Sequence, residues 1–159
     1  MRKVEGTLTM PPTSNNIYIK RPGGGRMLSS EARTWRTRSV KELTRQANLG
    51  FLKALDPNQM YFLVLHFYFE RVINKGWNEF YTRGIKKGQR KAETKWKKID
   101  TSNRVKLAED TVKIVTGVDD CATFFHVLIK DCDPENPRLE ITLAEVAGRA
   151  QWNIDLKPS

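Results

Sequence analysis

The sequence predicts an α+β domain in which a small mixed β-sheet carries two main helices packed on it. Three observations lead there. Polarity alternates over residues 3–10 and again over 138–143, residues 60–69 form an unbroken apolar run, and residues 29–50 and 103–116 repeat apolar side chains at helical spacing. The order is β-α-β, a polar insertion, then α-β-β.

The first strand places Val4, Gly6, Leu8 and Met10 on one side and Lys3, Glu5, Thr7 and Thr9 on the other. Pro11-Pro12 ends it. Residues 13–20 carry short polar side chains suited to turns, and Arg21-Pro22-Gly23-Gly24-Gly25-Arg26 reads as a hairpin tip whose two arginines are an alternative phosphate grip. Ser29 or Ser30 caps a helix expected to run to about Gly50, with Ala32, Trp35, Arg36, Val40, Leu43, Ala47 and Phe51 near its buried side.

Asp56-Pro57-Asn58 breaks the chain before Met60 to Phe69, which reads as a strand covered on both faces at the centre of the sheet. From Arg71 to Lys98 the chain turns polar and basic, with Trp77, Phe80, Tyr81 and Trp96 interleaved. Such aromatics either stack on unpaired bases or anchor the insertion.

The second helix, 103–116, is drawn from Val105, Ala108, Val112 and Val115, with Thr101 or Ser102 as cap and Gly117 as stop. A strand over Ala122–Lys130, a turn over Cys132–Pro137 and an alternating strand through Leu139, Ile141 and Leu143 read as a hairpin. Residues 1–147 make one domain with a basic insertion at about 71–98. Residues 148–159 are a C-terminal tail, poorly ordered unless Trp152 docks it.

With 159 residues and 39% hydrophobic composition, the chain is long and apolar enough for a real core. No apolar run reaches the roughly 18 residues of a membrane span and no secretory signal is read, so a soluble, cytoplasmic protein with no membrane partner is expected. A net charge of +10 makes a polyanion the first partner to consider. Eight basic side chains face one acidic side chain between residues 83 and 98, a run that is either a solvated surface or a nucleic-acid contact.

Cys121 and Cys132 flank one expected strand, about 36 Å long, and read as reduced thiols. His66 and His126 lie in apolar runs and read as core histidines rather than ligands.

Residues 98–120 hold the candidate site. Asp100 precedes the second helix, Lys106 lies about a turn inside it, and Asp119-Asp120 follow its terminating glycine. Two carboxylates and a lysine are the groups needed to hold a divalent cation beside a phosphate. At about 1.5 Å per residue that helix is about 20 Å long, so one ion cannot touch both its ends. Asp120 must travel back, or a turn or a partner subunit must complete the site.

Two stretches resemble the RusA family of Holliday junction resolvases, small phage and bacterial endodeoxyribonucleases. Pro11-Pro12-Thr13-Ser14-Asn15-Asn16-Ile17-Tyr18, followed by Ser29-Ser30-Glu31-Ala32, is similar to that family's P-P-S-x-N-x-x-Y and S-x-E-A stretches. Asp100-Thr101-Ser102-Asn103-Arg104-Val105-Lys106 resembles its D-x-D-N-x-x-K, with Asp119-Asp120 in place of its D-D pair.

The resemblance implies a homodimer that nicks opposite strands of a four-way DNA junction symmetrically, leaving 5′-phosphates, with Mg²⁺ or alternatively Mn²⁺ as cofactor. Matched by position, Asp100, Asp120 and Lys106 are the catalytic residues. Asp100 and Asp120 are metal ligands, Ser102 is a weak or water-mediated one, and Asp119 and Asn103 support them. Asn15, Asn16, Lys20, Arg21, Arg26, Lys86, Lys87, Arg90, Lys91, Lys95, Lys97 and Lys98 hold DNA in this reading.

One position departs from the pattern. Ser102 stands where the family has its second aspartate, which removes a negative charge from the metal shell. Two alternatives follow: a non-catalytic branched-DNA-binding protein of the same fold, and a general nucleic-acid-binding domain. At the helix start, Ser102 as a cap with Asp100 as its flanking anion, and Lys106 as an i,i+4 partner of Asp110, are the purely structural options.

Overall fold

Strand β1 (Lys3–Thr9) buries Val4 and Leu8 and exposes the polar residues between them, as its alternation requires. A computed structural model describes residues 3–47, 52, 55–56, 59–99 and 101–146. A 3-10 turn at Ser14–Asn16 leads into a short antiparallel hairpin of β2 (Tyr18–Lys20) and β3 (Arg26–Leu28), which pairs Tyr18 with Leu28 and Lys20 with Arg26. The Gly23–Gly25 run is therefore a hairpin tip.

Helix α1 (Ser30–Gln46) starts at Ser29, whose Oγ accepts from the Ala32 amide at 3.1 Å. The helix ends before residue 47, short of the expected Gly50, and Gly50 and Phe51 lie outside the described residues. Its buried stripe is Ala32, Trp35, Ser39, Leu43 and the following Ala47; Arg36 and Val40 are only half-buried. Gly6 permits the close approach of α1 to β1, because a Cβ there would lie 2.3 Å from Leu43 Cδ1. The Gln46 amide bonds both the N–H and the C=O of Thr7, at 2.6 and 2.9 Å, and so ties the helix end to the strand.

Strands β4 (Tyr61–Phe69), β5 (Thr123–Cys132) and β6 (Arg138–Glu145) complete a four-stranded sheet of order β1-β6-β4-β5. It is mixed, since β6 runs antiparallel to both β1 and β4 whereas β5 pairs parallel with β4. The expected hairpin of the last two strands is corrected here. β4 lies between them, and the connection crosses its end with the Asp133 amide bonded to the Phe69 carbonyl at 2.9 Å.

Helix α2 (Ser102–Thr116) packs beside α1 on one face of the sheet. The core beneath them joins Tyr61, Leu63, Leu65 and Phe67 with Leu139, Ile141 and Leu143 and with Leu43, Leu107 and Val112 of the helices. The buried stripe of α2 is Arg104, Leu107, Ala108, Thr111, Val112 and Thr116, so Val105 and Val115 sit at its margin. Arg104 is buried because its Nε donates to Pro12 O at 3.0 Å and its guanidinium lies 5.4 Å from the Phe69 ring centre.

β4 is covered fully on one face only. On the other, Phe62, Val64, His66 and Tyr68 are half-buried, and Val127 and Ile129 of β5 are exposed beside them. Both histidines depart from the core expectation. His126 is exposed, and His66 stacks on Tyr68 at 4.0 Å without a hydrogen bond to its buried Nε2, the Asp131 carboxylate standing 3.6 Å away. Both cysteines are free and exposed. Among the described residues no helix is long and apolar enough to cross a membrane. The expected tail, with Trp152, lies outside the described residues.

The strand order has a measurable consequence. Ile141 is 1% exposed on interior strand β6, whereas Leu128 is 45% exposed on edge strand β5. Ile141→Ala is expected to cost about 2–5 kcal/mol of unfolding free energy and Leu128→Ala about 1 kcal/mol or less, by urea denaturation. Near-equal losses would contradict the order.

Candidate functional site

The site is made by a chain reversal. Gly117 ends α2 in the left-handed conformation, φ 73°, which a side chain would strain, and its amide closes on Lys113 O at 2.8 Å. Thr116 fixes the turn from inside, its Oγ1 donating to Val112 O at 2.8 Å and accepting from the Val118 amide at 3.2 Å. Val118 is buried, so the chain folds back against the helix rather than away from it. A 3-10 turn at Asp120–Ala122 then enters β5.

This reversal sets two aspartates against two lysines of α2. Asp119 Oδ2 lies 2.5 Å from Lys113 Nζ, and Asp120 Oδ2 lies 3.8 Å from Lys106 Nζ. The structural option for Lys106 is present as well, because the same ammonium is 3.3 Å from Asp110 Oδ1 across one helical turn. One turn around, Glu109 Oε1 is 3.0 Å from His126 Nδ1 on β5. His126 therefore belongs to the border of this site.

Charge follows the geometry. The Lys106 ammonium titrates above its ordinary value, chiefly because the Asp110 carboxylate faces it, with Asp120 and Glu109 adding and burial opposing. Asp119 is held well below the usual carboxylate range by the Asp120 side chain and the Lys113 ammonium, and Lys113 is raised in return by its bond to Asp119. The Tyr18 phenol is pushed up by burial and then by Asp110, which places the end of the Pro11–Tyr18 stretch within the field of this cluster.

Of the other expected site residues, Ser102 is exposed at the first position of α2 and Asn103 is half-buried beside it. Thr101 occupies the cap position without a side-chain cap bond. Asp100 lies outside the described residues. Among the described residues no group of three or more His, Cys, Asp or Glu side chains is arranged to hold a metal ion. Asp110 and Asp120, gathered on one lysine, are the carboxylates that are brought together.

The expected DNA contacts fall into three places. Lys20, Arg21 and Arg26 are exposed on the β2–β3 hairpin, and Asn15 and Asn16 are exposed on the turn before it. Lys97 and Lys98 line a cleft with Asn15, Arg71 and Arg104. Lys86, Lys87, Arg90, Lys91 and Lys95 lie on an arm formed by the insertion. There Arg90 is a strut: its guanidinium sits 4.3 Å from the Trp77 ring and 5.1 Å from Phe80, and it donates to Trp77 O at 2.6 Å. Lys91 pairs with Glu79 at 3.0 Å, and Lys95 lies 5.1 Å from the Trp96 ring. The interleaved aromatics thus brace the arm itself.

The sequence gives Tyr18 no site role beyond its motif and presents His126 as a core histidine. The i,i+4 spacing of Lys106 and Asp110 was the visible signal. The contact of His126 with α2 depends on the parallel return of β5, which local pattern does not encode.

The family model described as Endodeoxyribonuclease RusA matches residues 9–144 of the chain. Among curated proteins, none matches it.

A raised lysine contributes its ion-pair stability fully below its unfolded value, 10.5, and loses it as pH rises through the higher folded value. Titration of the Lys106 ¹⁵Nζ resonance is therefore expected to give a midpoint above 10.5, and Asp110→Asn to move it downward. An unmoved midpoint would remove Asp110 from the cluster.

Proposed function

The chain belongs to the RusA family of endodeoxyribonucleases, and from that premise we propose that it is a divalent-metal-dependent nuclease that resolves four-way DNA junctions by paired hydrolysis of opposed phosphodiester bonds. The observation that carries this is the approach of Asp120 to within 3.8 Å of Lys106. It joins two separated pieces of the family-like motif into one cluster.

The residues suit the ion. Carboxylate oxygens are the hard donors that Mg²⁺ and Mn²⁺ take, and Asp120, 63% exposed at its side chain, is open to both ion and substrate. Asp100 and Asp120 are the ligands in this reading, with Ser102 weak or water-mediated and Asp110 as a further carboxylate. When bound, the metal ion supplies an activated water and offsets charge on the phosphate in the transition state.

The chain's own groups do the rest. Lys106 presents a cation to the scissile phosphate, and the facing Asp110 carboxylate stabilises its charged form. Asp110 fixes the direction of that ammonium, and Asp119, locked to Lys113, holds the turn that carries Asp120. The first-turn amides of α2, with Asn103 beside them, add partial positive charge for an anion.

Arg21, Arg26 and the bases of the 83–98 run track the phosphate backbone in this reading. A homodimer accounts for two symmetric cuts, and the half-open sheet face with Phe62, Val64, Val127 and Ile129 supports self-association. The site of action is then the cytoplasm of a bacterial or phage-infected cell.

The second reading, a branched-DNA-binding protein without chemistry, rests on Ser102 in place of a metal-binding aspartate. Cleavage of synthetic four-way junctions with Mg²⁺ or Mn²⁺ separates the two. Asp120→Asn and Asp100→Asn are each expected to reduce cutting about 10²-fold or more while junction binding persists. Normal cutting by both variants would remove these residues from the mechanism. Ser102→Asp is expected to change an active protein little; a large gain from an inactive one would establish the second reading.

A further inference from the structure

The insertion folds back on itself as an arm. Its two limbs are bridged at Ile73 with Trp96 and at Phe80 with Arg90, and further backbone bonds join Asn74 to Lys95 and Tyr81 to Gln89. Beyond the Arg90 strut the tip is closed by the amides of Lys87, Gly88 and Gln89, which donate to Gly84, Tyr81 and Lys86 at 2.9–3.0 Å. At its apex stands Ile85, with its side chain wholly in solvent.

A lone surface isoleucine needs no explanation; this one does. Turn apices favour glycine, asparagine, aspartate and serine, and here the glycines flank the apex at 84 and 88 while a β-branched apolar side chain occupies it. Arg83, Lys86 and Lys87 surround it, and no carboxylate occurs from Phe80 to Ala92. The apex thus offers an apolar point inside a ring of cations. Its complement is a surface that is anionic outside and apolar within, and a base stack between two phosphate backbones is one.

We infer that Ile85 is a wedge that enters the base stack at the branch point of a DNA junction, with Arg83, Lys86 and Lys87 gripping the flanking phosphates. The inference rests on the DNA-binding reading above and adds to it a specificity-determining residue. Apolar wedges between base steps unstack them, which costs free energy at every step so opened. That cost is least where stacking is already interrupted, so a wedge on a cationic arm favours branched over continuous duplex. The cations alone would hold any duplex, whatever its shape.

The test uses the full chain, with chelator present, and a four-way junction carrying 2-aminopurine beside the crossover. Wild-type protein is expected to raise the fluorescence several-fold. Ile85→Ser is expected to hold the signal near that of the free junction while affinity for linear duplex changes less than about threefold, and Ile85→Leu to restore it. Replacing Arg83, Lys86 and Lys87 by Gln together is expected to weaken both DNA forms and to flatten the salt dependence of binding by about 3 in log–log slope.

An equal fluorescence rise with Ile85→Ser would overturn the wedge, as would no rise with the wild type. Loss of binding to phosphatidylglycerol vesicles on Ile85→Ser, with the junction signal intact, would overturn it in favour of a membrane contact. No step here needs cleavage. A protein that fails to cut yet shows an Ile85-dependent rise fails as a nuclease but keeps the wedge, whereas one that cuts without that rise keeps the nuclease reading alone.

Discussion

The left-handed turn at Gly117 is the constraint on which the candidate site depends. Had α2 continued or turned outward, Asp119 and Asp120 would face solvent beyond its last carbonyls. Because the chain doubles back with Val118 buried beneath it, Asp119 meets Lys113 and Asp120 meets Lys106. The two pairs differ in kind. The first is a tight bond at 2.5 Å that anchors the turn, and the second, at 3.8 Å, leaves a carboxylate within reach of other partners. An exposed pair of this kind adds little to stability. Its value lies in placement.

Sheet topology does the same work on a larger scale. Parallel pairing of β5 with β4 makes α2 the crossover between them, so the start of β5 lies beside the helix and His126 reaches Glu109. Inserting β6 between β1 and β4 leaves β5 as an edge with one open face. The exposure of Val127, Leu128 and Ile129 is a consequence of that order. The arm is held differently, by cation–π contacts and backbone bonds instead of a core, which suits a part that presents side chains to a partner.

Much of the fold was legible because it follows local pattern. Alternation located β1 and β6, apolar continuity located β4, and Ser29 and Gly117 marked a helix start and a helix stop. What failed was non-local or masked by polar names. Strand partners are not encoded in polarity, so neighbouring strands were read as a hairpin. The buried stripe of α2 was legible only in part, because Thr111 and Thr116 satisfy their hydroxyls on the carbonyls of Leu107 and Val112, and Arg104 buries an aliphatic stem while its head bonds Pro12. In the site, the helical pair of Lys106 with Asp110 followed from spacing. The approach of Asp120 did not, because it depends on a tertiary reversal.

Lys106, Asp110 and Asp120 form one cluster, which in the proposed reading receives a divalent cation. Titrating Mn²⁺ into ¹⁵N-labelled protein tests it without reference to catalysis, since paramagnetic broadening reports distance from the ion. The amides of Lys106, Asp110 and Asp120 are expected to broaden first, and Asp120→Asn to weaken the effect at all of them. Broadening centred elsewhere, such as on Asp133 and Glu140, or no preferential broadening at all, would contradict it.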